Sequence, residues 1–227
     1  ASADTAVVVV NSPNNPTGAG YEAATMAALV AVAEDHDALL VSDEVYDHFD
    51  YSGRFSSALE LDSPNVVATN AFSKSMAITG YRVGYAVFPP ADGPTGGLVD
   101  RATTRHMLTN VSGSRPAQYA VQRAIGDTPE AYYERARQRL ESRIETFCDA
   151  LDTVGARYTR PDGGFYVLAE FPEFAGDFDG VYELVDEAGV AGMPGAAFGQ
   201  SRADWIRFSL TTDRVGTAAQ RLTEFFG

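Results

Sequence analysis

The residue best suited to covalent chemistry in this sequence is Lys74, the only lysine among 227 residues that include 16 arginines. An arginine keeps its charge, whereas a lysine amine can lose its proton in a desolvated site, attack a carbonyl and form a Schiff base. The alternative interpretation is a surface lysine retained by chance. The position of Lys74 favours chemistry, because the residue follows a predicted buried strand and lies between two serines.

Other polar clusters also lie where predicted strands end. The turn Asn14-Asn15-Pro16-Thr17-Gly18 follows the first strand, Asp43-Glu44-Val45-Tyr46 follows the second, and Arg82 lies eight positions beyond Lys74. Ligands of open α/β sheets bind beyond the carboxyl ends of the strands. We therefore expect these clusters to form one site.

The first half of the chain alternates strand and helix patterns. A helix is predicted from about Glu22 to His36. The predicted strands are continuous apolar runs, namely Val7–Val10, Ala38–Ser42, Val66–Thr69 and Val83–Phe88. Such runs, separated by helices, predict an α/β fold with a mostly parallel sheet that is flanked by helices.

The second half has a different pattern and begins with an amphipathic helix from Pro129 to about Val154. The elements predicted after it are a strand at Phe165–Phe171, a helix near Val181–Ala188, a strand at Trp205–Leu210 and a closing helix that ends at Phe226. We predict two domains, a larger one over residues 1–127 and a smaller C-terminal α+β domain over residues 128–227.

The clusters above, together with Arg207 in Trp205-Ile206-Arg207-Phe208-Ser209, resemble in their order the signature of class I/II aminotransferases. These are fold-type-I enzymes of the aspartate aminotransferase superfamily and depend on pyridoxal 5'-phosphate (PLP). The resemblance extends to Pro161-x-Gly163-Gly164-Phe165-Tyr166 and Pro194-Gly195-x-x-Phe198-Gly199. It covers essentially the whole chain, as the C-terminal part of such an enzyme, and implies a PLP-transferase fold whose large domain is incomplete.

The resemblance implies catalytic and cofactor-binding roles for four residues. Lys74 would form the aldimine with PLP and later move the proton between substrate Cα and cofactor C4′. Asp43 would pair with the pyridine nitrogen, while Tyr46 and Asn15 would donate to the phenolic oxygen. The alternatives are a helix N-cap for Asp43, a core aromatic ring for Tyr46 and an Asx-turn for Asn15.

The resemblance also implies that two arginines bind the anionic groups of the cofactor and the substrate. Arg82 would hold the cofactor phosphate with help from the Ser73 hydroxyl, and Ala71 stands where the family often has a further phosphate-binding serine. Arg207 would bind the substrate α-carboxylate as a bidentate fork, with Asn15 beside the substrate. A salt bridge within the small domain is the alternative for Arg207.

The activity implied is transfer of an amino group between an amino acid and a 2-oxo acid by a ping-pong route. A C–S lyase of the same fold would use the same residues but release ammonia and pyruvate, and a non-catalytic aminotransferase-like sensor domain would bind PLP only as a ligand. The resemblance also implies a homodimer. Family members have an upstream part that carries a phosphate-binding loop. We therefore expect this chain to be a fragment with little catalytic activity on its own.

The net charge is -14, from 31 acidic and 17 basic residues. Such a charge repels nucleic acid and anionic membranes, so we expect neither as a partner. An acidic, lysine-poor composition is typical of halophilic proteins, with an acidic mesophilic protein as the alternative. One cysteine, no visible signal peptide and no long apolar run favour the cytoplasm. The three histidines have no metal-ligand spacing, so no metal is expected.

Overall fold

A computed structural model describes residues 1–89 and 96–227, and the chain divides into two compact units. The first unit comprises Ala1–Pro13, Tyr21–His48 and Gly53–Tyr133. The second unit comprises Asn14–Gly20, Phe49–Ser52 and Glu134–Gly227. The division into domains at residues 127 and 128 stays a prediction.

The first unit is built on a four-stranded sheet with the order β1-β2-β3-β4. The strands are β1 (Val7–Asn11), β2 (Leu39–Asp43), β3 (Val66–Ala71) and β4 (Gly84–Val87). Strands β1 to β3 are parallel, and β4 is antiparallel to β3. The predicted α/β class with a mostly parallel sheet is confirmed. The antiparallel direction of β4 was not predicted, because the apolar pattern of a strand does not depend on its direction.

A glycine is required where β4 begins beside the end of β3. Gly84 pairs with Ala71, and a Cβ on Gly84 would lie only 2.8 Å from the Asn70 carbonyl oxygen. Real Cβ atoms essentially never approach a backbone oxygen so closely, so a larger residue would push the two strands apart. This close pairing holds β4 against the residues that lead into Lys74.

In the described part of the first unit, the α-helices beside the sheet are α1 (Ala23–Asp35), α2 (Phe72–Ser75), α3 (Leu98–Asn110) and α4 (Arg115–Asp127). Helix α1 buries Met26, Val30 and Ala33 in a cluster that includes Val10 and Leu40. Helices α3 and α4 were not predicted. No residue of α3 is buried, so the helix has no apolar stripe from which it could be predicted.

The second unit has an antiparallel sheet with the order β5-β6-β8-β7. Its strands are β5 (Arg157–Tyr158), β6 (Tyr166–Glu170), β7 (Met193–Pro194) and β8 (Ile206–Ser209). Helix α5 (Glu130–Thr153), of which the unit contains the part from Glu134, is joined by α6 (Phe178–Glu183), a π-helical turn (Leu184–Ala188) and α7 (Val215–Phe226). Helices and sheet share a core around Phe147, Val167 and Leu222. Within the described residues, no helix combines the length and apolar character needed to cross a membrane.

Candidate active site

Lys74 lies on α2, the short helix that begins directly where β3 ends. The backbone remains extended at Ala71 and turns helical from Phe72, so the lysine is presented just beyond the carboxyl end of the strand. Its Nζ atom lies 5.6 Å from the centroid of the Tyr46 ring. Tyr46 is only 4% exposed, whereas Lys74 is half-buried. Lys74 therefore lies beside a buried aromatic ring.

Asp43 is the last residue of β2 and lies within electrostatic reach of Lys74. Burial raises the pKa of its carboxyl group, while a hydrogen bond from the Val45 backbone N–H and the positive charge of Lys74 act in the opposite sense. Two further bonds fix the strand end, because the Asn11 side-chain amide and the Ser12 backbone N–H donate to the Asp43 carbonyl oxygen at 2.9 and 3.2 Å. A partly desolvated carboxylate of this kind gains from a cationic partner.

Glu44, which sequence reasoning did not single out, fixes the chain between Asp43 and Tyr46. The side chain is buried, with 6% exposed, and accepts three hydrogen bonds. The donors are the Ser42 hydroxyl at 2.9 Å, the Ser57 hydroxyl at 2.8 Å and the Ala58 backbone N–H at 2.9 Å. A buried carboxylate is tolerated when its lone pairs are satisfied in this way. Glu44 thus ties the end of β2 to the segment that contains Ser57.

Arg82, predicted to bind phosphate, is exposed and adopts a left-handed backbone with φ 55°. This conformation is uncommon for residues other than glycine, and such strained residues cluster at functional sites. Its Nη1 donates to the Thr79 carbonyl oxygen at 2.9 Å, and the residue lines a pocket of about 640 Å³ together with Ser112, Gly113 and Ser114. Ser73, the other predicted phosphate ligand, is buried, with 8% of its surface exposed.

In the second unit, the turn over Asn14–Gly20 packs on the loop that contains Pro161 and Gly163. The Gly18 carbonyl oxygen accepts hydrogen bonds from the backbone N–H groups of Asp162 and Gly163, at 2.8 and 3.0 Å. Gly18 has a φ of 72°, and a Cβ there would collide with the Pro161 ring. Two motifs distant in sequence are therefore joined by a contact that only a glycine allows.

Arg207 lies on β8 and holds its guanidinium beside Asn15. Its Nη1 donates to the Asn15 side-chain oxygen at 2.9 Å, and in the same turn the Asn14 side-chain oxygen accepts from the Thr17 backbone N–H at 3.3 Å. The Arg207 Cζ atom lies 4.4 Å from the centroid of the Tyr166 ring and 4.7 Å from that of Phe198. Its Nε atom is buried and has no hydrogen-bond partner within residues 1–89 and 96–227.

The first unit thus brings Lys74, Asp43 and Tyr46 together, and the second unit brings Arg207 and Asn15 together. The catalytic and binding roles of all seven predicted residues stay predictions. The sequence analysis did not predict contacts of Tyr166 or Phe198 with Arg207, although both residues lie in motifs that resemble those of the family. Their spacing from Arg207 in sequence gave no sign that their rings would contact its guanidinium.

Comparison with known proteins decides the family. The sequence profile described as aminotransferase class I and II matches residues 1–222. This chain belongs to the class I and II aminotransferases. The aspartate/prephenate aminotransferase of Thermus thermophilus is 34% identical over 228 residues, which cover 98% of this chain and 57% of that protein. The aromatic-amino-acid aminotransferase 2 of Thermococcus litoralis is 30% identical over 213 residues, or 92% of this chain and 53% of that protein.

Solved aminotransferase structures share the fold. The Thermus thermophilus aspartate aminotransferase with maleate superposes with a TM-score of 0.89 and 31% identity, over 99% of this chain and 58% of that one. The aromatic aminotransferase of Pyrococcus horikoshii gives a TM-score of 0.89 at 27% identity, over 99% of this chain and 61% of that one. The predicted PLP-transferase type of fold is confirmed. The chain spans between about half and three fifths of the length of these relatives.

Proposed function

We propose that the protein to which this chain belongs transfers an amino group between an amino acid and a 2-oxo acid, with PLP as its cofactor. The observation that carries the proposal is the arrangement of the only lysine. Lys74 leaves the end of β3 beside the buried Tyr46 ring and within electrostatic reach of Asp43. Membership of an aminotransferase family supports the same reaction.

The residues of the first unit fit PLP by their chemistry. An amine suits the aldehyde of the cofactor, a carboxylate suits its ring nitrogen, a phenol suits its phenolic oxygen, and an arginine suits its phosphate. Lys74, Asp43, Tyr46 and Arg82 supply these four groups. The partly desolvated Asp43 carboxyl, whose pKa is raised by burial, is prepared for a cationic partner such as a protonated ring nitrogen.

Each residue then has a defined task. When bound, PLP supplies an aldehyde that takes up the amino group and a ring that draws electrons from substrate Cα. The Lys74 amine would take the proton from substrate Cα and would deliver it to the cofactor carbon. Asp43 would keep a proton on the ring nitrogen, and Tyr46 would donate to the phenolic oxygen. The role of Asn15 as a second donor stays a prediction from the family resemblance. Arg82 and Ser73 hold the phosphate.

The second unit supplies the substrate contact. Arg207 binds the α-carboxylate that every amino acid and 2-oxo acid shares, with the side chain of Asn15 beside it. The buried Nε atom has no hydrogen-bond partner among the residues that the structure describes. This supports the role, because an unsatisfied charged donor gains from an incoming carboxylate.

A transamination assay tests the proposal. The full-length protein with PLP should convert 2-oxoglutarate to glutamate with L-aspartate or L-phenylalanine as donor, since relatives are named for aspartate and aromatic substrates. Lys74→Ala should abolish turnover, and so should Lys74→Arg, which keeps the charge but cannot act as a base. Failure to form glutamate from either donor, together with release of homocysteine, ammonia and pyruvate from L-cystathionine, would refute transamination in favour of a C–S lyase. Full activity of Lys74→Arg would refute the role of the lysine.

We further propose that the protein is a homodimer and that it functions in the cytoplasm of a halophilic organism. Exposed apolar residues on and beside α3, namely Met107, Leu108 and Val111, support a covering partner. The net charge of -14 and the single lysine support the salt requirement. Light scattering should give the mass of two chains, and the melting temperature should rise with added KCl. A monomer, or a melting temperature that falls with salt, would refute the respective proposal.

A further inference from the structure

The Arg207 guanidinium is held by groups that leave much of its hydrogen-bonding capacity unused. Two of its neighbours are aromatic rings, those of Tyr166 at 4.4 Å and Phe198 at 4.7 Å from Cζ. An aromatic ring attracts a guanidinium through its π face without accepting an in-plane N–H bond. An acidic neighbour would also position the arginine, but it would occupy the donors that a ligand needs and cancel the positive charge.

Among the described residues, the hydrogen bond that the guanidinium makes to Asn15 indicates which edge a ligand takes. Nη1 donates to the neutral side-chain oxygen of Asn15 at 2.9 Å. A carboxylate can approach an arginine end-on through Nη1 and Nη2 or side-on through Nε and Nη2. The end-on mode would use Nη1, which already donates one hydrogen bond to Asn15. The side-on mode would satisfy Nε, which is buried and unpaired within the described part of the chain.

We propose that Tyr166 and Phe198 are positioning residues that hold the Arg207 guanidinium so that its Nε–Nη2 edge binds the substrate α-carboxylate. Tyr166 begins β6, next to β8, and Phe198 lies in the turn after β7 on the other side of β8. The two rings thus come from both neighbours of the strand that carries Arg207. This inference rests on the proposed function and deepens it by assigning the carboxylate contact to one edge of the arginine.

The test uses Phe198→Leu and Tyr166→Leu in the full-length PLP-loaded protein. Loss of one ring should weaken carboxylate binding by about 2- to 30-fold, the range expected for a cation–π contact between exposed and desolvated settings. KM should rise by that factor for both the amino acid and 2-oxoglutarate, with a much smaller change in kcat, because both substrates present the same carboxylate. Phe198→Tyr and Tyr166→Phe keep the rings and should restore KM.

Phe178→Leu is the matched control. Phe178 belongs to the same unit, is 63% exposed and begins α6, so its removal should leave both KM values unchanged. A binding measurement that needs no turnover uses 3-phenylpropionate, which has a carboxylate, and 2-phenylethylamine, which has none. Calorimetry should show weaker binding of the acid to the leucine variants and unchanged binding of the amine.

The outcomes separate this inference from the proposed function. If the wild-type protein transaminates but both leucine variants bind 3-phenylpropionate as tightly as wild type, the positioning role is wrong and the proposed function stands. If the wild-type protein does not transaminate, the proposed function fails, while weaker acid binding by the variants would still support the positioning of Arg207. Equal losses for the acid and the amine would show a general structural defect and would overturn the inference. Because Phe198 is 37% exposed, its leucine variant should fold even where the Tyr166 variant does not.

Discussion

Glu44 should contribute more to the stability of the first unit than any other single carboxylate near the candidate site. The perturbation is Glu44→Ala, which removes the acceptor of three hydrogen bonds from Ser42, Ser57 and Ala58. Ser42 and Ala58 are fully buried, so the Ser42 hydroxyl and the Ala58 N–H would lose their partner in a place that water does not reach. We expect the free energy of unfolding to fall by about 2–6 kcal/mol, because two buried neutral donors lose their acceptor at a cost of about 1–3 kcal/mol each.

Glu44→Gln separates hydrogen bonding from charge. Both Ser42 and Ala58 donate to Oε1, which the glutamine carbonyl can replace, and the Ser57 hydroxyl can reverse to accept from the new amide. We therefore expect a loss of only about 1 kcal/mol for this variant. Glu60 provides a matched control in the same segment, because it accepts from Ser56 on the exposed surface. Glu60→Ala should change stability by less than about 0.5 kcal/mol.

The assay is urea-induced unfolding followed by far-UV circular dichroism, with hydrogen exchange of the Ala58 amide as a local measure. The exchange rate at Ala58 should rise most in Glu44→Ala, slightly in Glu44→Gln and not at all in Glu60→Ala. A loss below about 1 kcal/mol for Glu44→Ala would refute the reasoning. Equal losses for the alanine and glutamine variants would also refute it, since they would show that the charge matters and the hydrogen bonds do not.

Three further predictions address other parts of the chain. Burial raises the folded-state pKa of Asp43 above 3.8, so the stability that its protonated form contributes is present below about pH 4 and is lost as the pH rises. In urea titrations of the cofactor-free protein, the free energy of unfolding of Asp43→Asn should therefore increase relative to that of wild type between pH 4 and pH 7. A difference between the two proteins that stays constant with pH would contradict this. Gly18→Ala should lower the melting temperature more than Gly155→Ala, because both glycines have a positive φ but only Gly18 contacts Pro161. Gly155→Ala should lower the free energy of unfolding by about 1–2 kcal/mol. Equal losses for the two variants would show that the contact with Pro161 is unimportant. The Cys148 thiol is fully buried and burial raises its pKa to about 11, so a thiol reagent should label it only in denaturant, and rapid labelling of the native protein would disprove its burial.

Much of the fold could be predicted because its signals are local. Strands β1 to β3 are continuous β-branched or apolar runs, and α5 repeats its apolar residues at helical spacing, so their bounds were predicted within about two residues. The antiparallel direction of β4 could not be predicted, because it depends on how the chain turns between Lys74 and Gly84. Helices α3 and α4 carry one buried residue between them, Val121, which is too little for a periodic pattern.

The sequence gives candidates for the site but not their contacts. Lys74 was indicated by its chemistry, and Asp43 and Arg207 by the resemblance to class I/II aminotransferases; their roles stay predictions. The contacts depend on long-range packing. The hydrogen bond between Arg207 and Asn15 joins residues 192 positions apart. The rings on Arg207 and the bonds to Glu44 arise in the same way, from segments that only the folded chain brings together.

Borohydride reduction of the full-length protein with bound PLP, followed by peptide mass spectrometry, tests the central claim most directly. Reduction converts a lysine bound to the cofactor aldehyde into a stable pyridoxyl-phosphate adduct. We predict one adduct, on the peptide that contains Lys74, and its loss in Lys74→Arg. An adduct on a different lysine, or none in the full-length protein, would contradict the assignment of Lys74 as the residue that holds the cofactor.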